Sequence, residues 1–274
     1  GTIVSDVVKK TVEDFLKTKA VLSITPKVVD PDYTYLNLEI NTLYDETKTT
    51  ISTDALASSI RSAVISNIKN NLGRFNQSFS ISKLLTTVDA VSSSIDSSDV
   101  EVIMEKRLLP TSARNVSYLV KCGNPIYHPH DGHMSVVSSN VFRYLDPTDT
   151  TTKDVFVKDN GNGKISFYRT VGSADEIVLQ DAGTVDYENG IIRIDQVQIL
   201  SPVDTPVIKI FAVAKNQRYI SSRDQILFND YLENSSAIKV LTNGVTQTSS
   251  VPSSSGTSSS GSSSTGSSSS SSGY

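Results

Sequence analysis

The chain opens on a helical spacing of apolar residues. Val4, Val7, Val8, Thr11, Val12, Phe15 and Leu16 recur at intervals of three and four, which predicts an amphipathic helix. Ala20 to Ile24 reads as a short strand ended by Pro26. Asp30-Pro31-Asp32 reads as a turn, because proline fixes φ and aspartate caps local backbone. From Tyr33 to Tyr44 the period changes to two. Thr34, Leu36, Leu38, Ile40 and Thr42 fall on one face, and Tyr33, Tyr35, Asn37, Glu39 and Asn41 on the other, the pattern of a half-buried strand. Ser52, Thr53 and Asp54 are N-cap candidates for a long helix that carries Leu56, Ile60, Val64, Ile68 and Leu72 on one stripe. Gly73 fits the position just past its C-terminus. A further helix is expected from Ser82 to Val91. Val100, Val102 and Met104 then alternate in a strand closed by Leu109-Pro110.

These elements mix helices and strands without a strict βαβ rhythm, which predicts an α+β fold with a mixed sheet and helices on one face. Beyond residue 110 the pattern becomes a run of short strands. Val116, Tyr118 and Val120 alternate. Val155 and Val157 lead into Asp159-Asn160-Gly161-Asn162-Gly163, followed by Ile165, Phe167 and Tyr168, which is a hairpin signal. Ile177 and Leu179 continue the series. A second hairpin turns at Glu188-Asn189-Gly190, and Val207 to Ala214 adds one more strand. Short strands with Asn/Gly turns predict a β-sandwich or barrel-like domain. The last stretch is different again: residues 249–274 contain 17 Ser and 4 Gly. Such a segment buries too little apolar surface to offset its ordering entropy, so a flexible tail is expected. The expected organisation is therefore an α+β domain at 1–110, a β-rich domain at 111–245 and a Ser/Gly-rich tail at 246–274.

The tail explains the low apolar fraction of 37%. Lys and Arg number 25 against 29 Asp and Glu, a net charge of −4. That balance argues against a sequence-independent grip on nucleic acid, which needs a basic face. No apolar run approaches the length of a membrane span, and no secretory leader heads the sequence. A single cysteine, Cys122, excludes an internal disulfide and reads as a small buried residue. The chain begins with Gly1 rather than Met, which suggests an excised or processed fragment.

Candidate chemistry is sparse. All three histidines fall in His128-Pro129-His130-Asp131-Gly132-His133. His128, His130 and His133 are weak candidate metal ligands, with Asp131 and Cys122 nearby in sequence, but the spacing matches no familiar zinc motif and reads rather as a polar loop. Asp159 to Gly163 lacks the oxygen ligands of a calcium loop and reads as a tight turn. Glu105-Lys106-Arg107 reads as the solvated end of a strand. Neither a nucleophile elbow nor a phosphate-binding glycine loop is present. The motif reading therefore points to no catalytic residue and no cofactor.

Several segments nonetheless resemble a known family. Val29-Asp30-Pro31-Asp32-Tyr33-Thr34-Tyr35-Leu36-Asn37-Leu38 is similar to a VDPxYxYLxL segment of baseplate J-like proteins, wedge components of contractile phage tails. The helix from Ser52 to Leu72, with Phe75, Phe79 and Ser82-Lys83-Leu84-Leu85, resembles the segment that follows it. Gly183-Thr184-Val185-Asp186-Tyr187-Glu188-Asn189-Gly190-Ile191-Ile192 resembles a GTVDYxxGxI hairpin of T-even-like wedge proteins, and Arg223-Asp224-Gln225-Ile226-Leu227 a late RxQIL element. The ordered set covers roughly residues 1–230 and resembles the C-terminal part of such a wedge protein, of cyanophage type. The His-rich stretch and the Ser tail fall outside the pattern.

The resemblance implies a structural subunit. It would dimerise, contact other wedge and hub proteins, and link wedges into the inner baseplate ring that triggers sheath contraction. It would reside in the virion tail baseplate after assembly in the bacterial host cytoplasm. The alternative from another class is a β-sandwich adhesin or carbohydrate-binding module, which the absence of Trp disfavours. A metal enzyme built on His128, His130 and His133 is a third.

Overall fold

The computed structural model describes residues 5–21, 24–111, 114–129, 135–221, 225–230 and 238–242. The described residues belong to one compact unit, Gly1–Asn243. The expected tail at 246–274 lies outside them.

Helix α1 (Asp6–Lys19) comes first, then strand β1 (Asp32–Tyr44), helix α2 (Thr53–Asn71), the short β2 (Ser78–Ser80), helix α3 (Ile81–Asp89) and the long β3 (Ile95–Leu108). Ser52 caps α2 through its hydroxyl, which accepts from the Ala55 N–H, and Gly73 follows the helix at φ +90°. Of the expected strand at 20–24, the described residues Ala20, Val21 and Ile24 are not in a strand. The Ile24 N–H donates to the Val21 carbonyl at 2.8 Å and closes a turn, while residues 22 and 23 lie outside the described residues. Both edges of β1 are occupied by other strands, so β1 offers that segment no place in the sheet.

The remaining strands are β4 (Val116–Lys121), β5 (Val137–Ser139), β6 (Phe142–Leu145), β7 (Thr152–Asp159), β8 (Lys164–Val171), β9 (Ala174–Asp186), β10 (Ile191–Val197), β11 (Ile199–Pro202), β12 (Ile208–Val213), β13 (Arg218–Ile220), β14 (Gln225–Phe228) and β15 (Ile238–Thr242). One extended sheet runs β14-β1-β3-β12-β5-β7-β8-β9-β10-β4, and β6 continues from β7 to β11. β1 and β3 are antiparallel, with Tyr35 opposite Glu105 and Ile40 opposite Val100. The far edge of β1 is shared by two late strands, both parallel to it. β14 pairs at Asp32 to Tyr35 and β15 at Ile40 to Tyr44. The protein is thus β-rich and α+β, with few helices and one large sheet.

The alternation in β1 decides where the core lies. Thr34, Leu36, Leu38, Ile40, Thr42 and Tyr44 are buried. They share a core with Val100, Val102 and Met104 of β3, the stripe Leu56, Ile60, Val64 and Ile68 of α2, and Leu84 and Val88 of α3. Hydrogen bonds fasten this layer: the Tyr44 hydroxyl meets the Thr53 hydroxyl at 2.7 Å, and the Asn67 amide donates to the Thr87 hydroxyl at 3.0 Å. The same core continues through Val137, Phe142, Tyr144, Val155, Val157, Ile165 and Ile194. There the Phe167 ring meets Phe142 and Tyr144 edge-on, each at 5.3 Å.

Candidate interaction surfaces

The turn at Asp159 to Gly163 joins β7 and β8, as its glycines predict; Gly161 and Gly163 stand at φ +75° and +80°. Its buried carboxylate is a local hub. Asp159 Oδ1 accepts from the Ser135 hydroxyl at 2.6 Å and from the Val136 and Val137 N–H groups at 2.8 Å. Oδ2 accepts from the Tyr187 hydroxyl at 2.7 Å and the Gly161 N–H at 3.3 Å. Burial, reinforced by Asp159, raises the Tyr187 phenol above its ordinary value. These contacts make the carboxylate a tie between three segments of the chain.

His128 packs beside this hub. Its ring stacks on Tyr187 with centroids 4.6 Å apart, and Nε2 lies 3.1 Å from the Gly161 carbonyl oxygen. Because the carbonyl can only accept, Nε2 is the donor in this pair. His130, Asp131 and His133 lie outside the described residues. Cys122 is buried as expected, and burial pushes its thiol up to about 12. Among the described residues, no group of three or more His, Cys, Asp or Glu side chains could hold a metal ion.

Glu105-Lys106-Arg107 corrects the expectation of a solvated strand end. Glu105 and Lys106 are 2% and 6% exposed. Their side chains leave β3 on opposite faces. Lys106 turns to the helix side, where it pairs with Asp32 and donates to the Thr34 hydroxyl at 3.2 Å. Gln225 of β14 donates to the same hydroxyl at 2.6 Å and to the Cys122 carbonyl at 3.2 Å, which ties the start of β1 to a late strand. Glu105 turns to the other side. It accepts from Arg107 Nε at 2.7 Å and from the Asn37 amide at 2.8 Å, with Lys209 of β12 at 3.8 Å. Alternation reveals which face each residue takes. It does not reveal burial, because the strand that covers Glu105 comes a hundred residues later.

The face of β1 and β3 turned away from the helices therefore carries a fixed arginine among aromatics. The Arg107 guanidinium lies 3.7 Å from the centre of the Tyr35 ring. Phe228 meets Tyr35 edge-on at 5.6 Å and Tyr33 at 6.2 Å. All four side chains are half-buried, and Ile103, Phe211 and Val213 extend the patch across β3 and β12. Tyr and Arg of this kind are the residues that anchor protein interfaces.

Residues 32–107, from β1 to β3, match the family of baseplate structural protein gp6, C-terminal domain III. A search among curated proteins found no match. The gp6 similarity supports a structural role in a phage tail baseplate. It begins within the Val29–Leu38 segment and spans β1, α2, β2, α3 and β3. The patch just described lies on the face of those gp6-like strands turned away from the helices.

A second surface is less conventional. Helix α1 forms as its spacing predicts, yet it has no buried residue. Val7, Val8, Val12, Phe15 and Leu16 are all exposed, Val7 by 76% and Phe15 by 62%. Its polar side is the one attached to the protein: Lys9 Nζ pairs with Asp30 at 2.6 Å, and Glu13 accepts from the Val28 N–H at 2.8 Å.

Proposed function

We propose that this chain is a structural, non-catalytic subunit of a phage tail baseplate wedge. Its copies pair, contact other wedge and hub proteins, and link neighbouring wedges into the inner ring whose rearrangement triggers sheath contraction. It takes its place in the tail baseplate of the virion after assembly in the bacterial host cytoplasm, and it engages neither nucleic acid nor membrane. The observation that carries this reading is the gp6 domain III similarity over residues 32–107. Two uncovered surfaces support it. A subunit that joins like and unlike neighbours needs both a self-complementary patch and a heterologous one. The Tyr33, Tyr35, Arg107 and Phe228 patch and the exposed side of α1 are two separate candidates for these roles.

The decisive experiment is a density map of the intact phage particle into which residues 5–242 are fitted. Density for this chain in the baseplate, adjoining the hub, is the expected result. Placement in the head, the neck or the tail tube sinks the reading.

A further inference from the structure

We infer that the open half of β3 takes up an extended segment of another protein as an added strand, with apolar side chains turned into a cleft and basic ones turned to the opposite face. The added strand would be one heterologous contact of the wedge subunit proposed above, and it rests on that reading for the existence of a neighbour. The sheet itself stops short at this point. β12 pairs with β3 only from Ile103, opposite Val213, to Leu108, opposite Ile208. It then turns away: Ala214 bridges to Ile126, the Lys215 N–H donates to the Pro125 carbonyl at 2.9 Å, and the Gln217 carbonyl accepts from the Ile81 N–H at 3.0 Å. β3 continues through Ser97 to Val102, paired there with β1 alone among the described strands. Six residues at 3.4 Å each leave about 20 Å of uncovered ladder. Such an edge is a template for a further strand.

The edge opens on a cleft. Between it and residues 213–217 lies a cavity of about 230 Å³, lined among others by Ile81 and Leu85 of α3, by Val100 and Val102, and by Tyr219. Tyr219 is 1% exposed and packs on Phe79, yet its hydroxyl has no hydrogen-bond partner among the described residues. Burial alone raises this phenol above its ordinary value, with no neighbouring group contributing. A buried phenol normally finds a partner. Here a carbonyl of the added strand would accept from it.

The opposite face sets the charge. Val100 and Val102 are turned into the core, so Asp99 and Glu101 stand on the other side, where Glu101 lies directly opposite Glu39 and Asp99 opposite Asn41. Like charges placed opposite each other are unfavourable. Lys239 pairs with Glu39, but Asp99 and Glu101 have no ion-pair partner among the described residues, and Lys215 across the cleft pairs with neither. Two carboxylates two residues apart match basic side chains at alternate positions of an added strand. The position between those basic residues then turns into the apolar cleft. The same carboxylates would repel each other if the edges of two copies met, which favours a heterologous strand. Charge on an edge also guards against unwanted pairing, but that role needs neither the cleft nor the buried hydroxyl.

The test titrates the whole 274-residue chain with an acetylated, amidated pentapeptide that alternates valine with lysine, followed by amide nitrogen–proton correlation spectra. Saturable shifts are expected at residues 97–102, in α3 and at 213–219. The counterpart peptide with glutamate in place of lysine should bind about tenfold more weakly or worse. Glu101→Lys, an exposed change, should invert that preference. Tyr219→Phe should weaken the lysine peptide by about three- to tenfold. It should leave the thermal midpoint of the free protein unchanged or raised, because the hydroxyl has no partner to lose. No saturable shift, shifts confined to another part of the chain, equal affinity for the two peptides in the unaltered protein, or a lowered midpoint in Tyr219→Phe would each overturn the inference. The particle map places the chain inside or outside the baseplate whatever the peptides do, so the two readings fail separately.

Discussion

Gly190 turns β9 into β10 at φ +63°, and a Cβ there would lie 2.1 Å from the Asn124 carbonyl oxygen. That oxygen is backbone and cannot swing aside, because Asn124 is fixed through its own amide to the Ile220 N–H at 2.9 Å. Gly190→Ala should therefore cost both the left-handed strain and the clash, about 3 kcal/mol or more. Gly172, at φ +64° but open to solvent, isolates the first contribution, and Gly172→Ala should cost about 1 kcal/mol. Chemical denaturation of both variants checks the difference; equal losses would remove the clash from the explanation. A pH effect belongs to the turn between β6 and β7. The Lys153 ammonium, with the Thr148 hydroxyl, holds the Asp146 carboxyl below its usual range, and Asp149 is lowered by Thr151 and by Lys153. Lys153 is raised in return, Asp146 first. Lowered acids lend stability above the unfolded carboxylate value and lose it on acidification; a raised lysine lends it below the unfolded amine value and loses it in strong base. Stability from this turn should thus hold from about pH 4 to about pH 10. Lys153→Met should flatten the acid limb of a plot of denaturation midpoint against pH, and an unchanged slope would show that the pairs contribute nothing. At this scale the sequence was informative wherever a residue type answers a local demand. Gly73, Gly161 and Gly190 stand where a positive φ is needed. Asn76 and Asp181 also take positive φ, which their residue types tolerate, whereas nothing in the identity of Thr150 and Gln196 announces it.

Helices α1 and α2 have the same kind of amphipathic spacing and opposite fates. Ile60 sits fully buried on the α2 stripe, so Ile60→Ala should destabilise the protein by about 2–5 kcal/mol. Val12→Ala on α1 removes an exposed side chain and should change monomer stability by less than about 0.5 kcal/mol. Hydrogen exchange gives the same contrast without mutation: α2 amides should exchange only through global opening, while those of α1 in dilute protein should exchange near the unprotected rate. Strong protection of α1 at dilution would mean that the helix is stabilised from within the monomer. Periodicity identifies an apolar side but not what covers it. The β1 alternation, the α2 stripe and both Asn/Gly hairpins were legible because each depends on residues a few positions apart. β2, β5, β6, β13, β14 and β15 were not, since they are three to five residues long and are made strands only by partners far along the chain. The same reason hid the Glu105–Arg107–Asn37 network and the Gln225 tie, although the Gln225-Ile226-Leu227 segment had already attracted notice by its resemblance.

The gp6-like segment at 32–107 holds β1, α2, α3 and β3, which looks like a minimal helix-on-sheet unit. Its strands argue otherwise. β14 and β15 fill the far edge of β1, and β12 fills the far edge of β3 from Ile103 to Leu108. β2 has β13 as its only partner among the described strands, and there Phe79 packs on Tyr219 with ring centres 6.1 Å apart. The end of α2 is fastened from outside as well, the Gly73 N–H donating to the Leu227 carbonyl at 2.9 Å. Excision would leave a two-stranded sheet with both edges bare and would remove Ile208, Ile210, Ala212, Tyr219 and Leu227 from its core. A sheet of that size is marginal in water even with a helix layer, and its open edges invite pairing between molecules. Residues 32–107 expressed alone should show no cooperative thermal transition by circular dichroism and should aggregate, whereas residues 1–243 should unfold in one transition. If the short fragment instead melts cooperatively as a monomer, the helix layer and β1–β3 suffice for folding, and the late strands serve to attach the rest of the sheet rather than to complete the core.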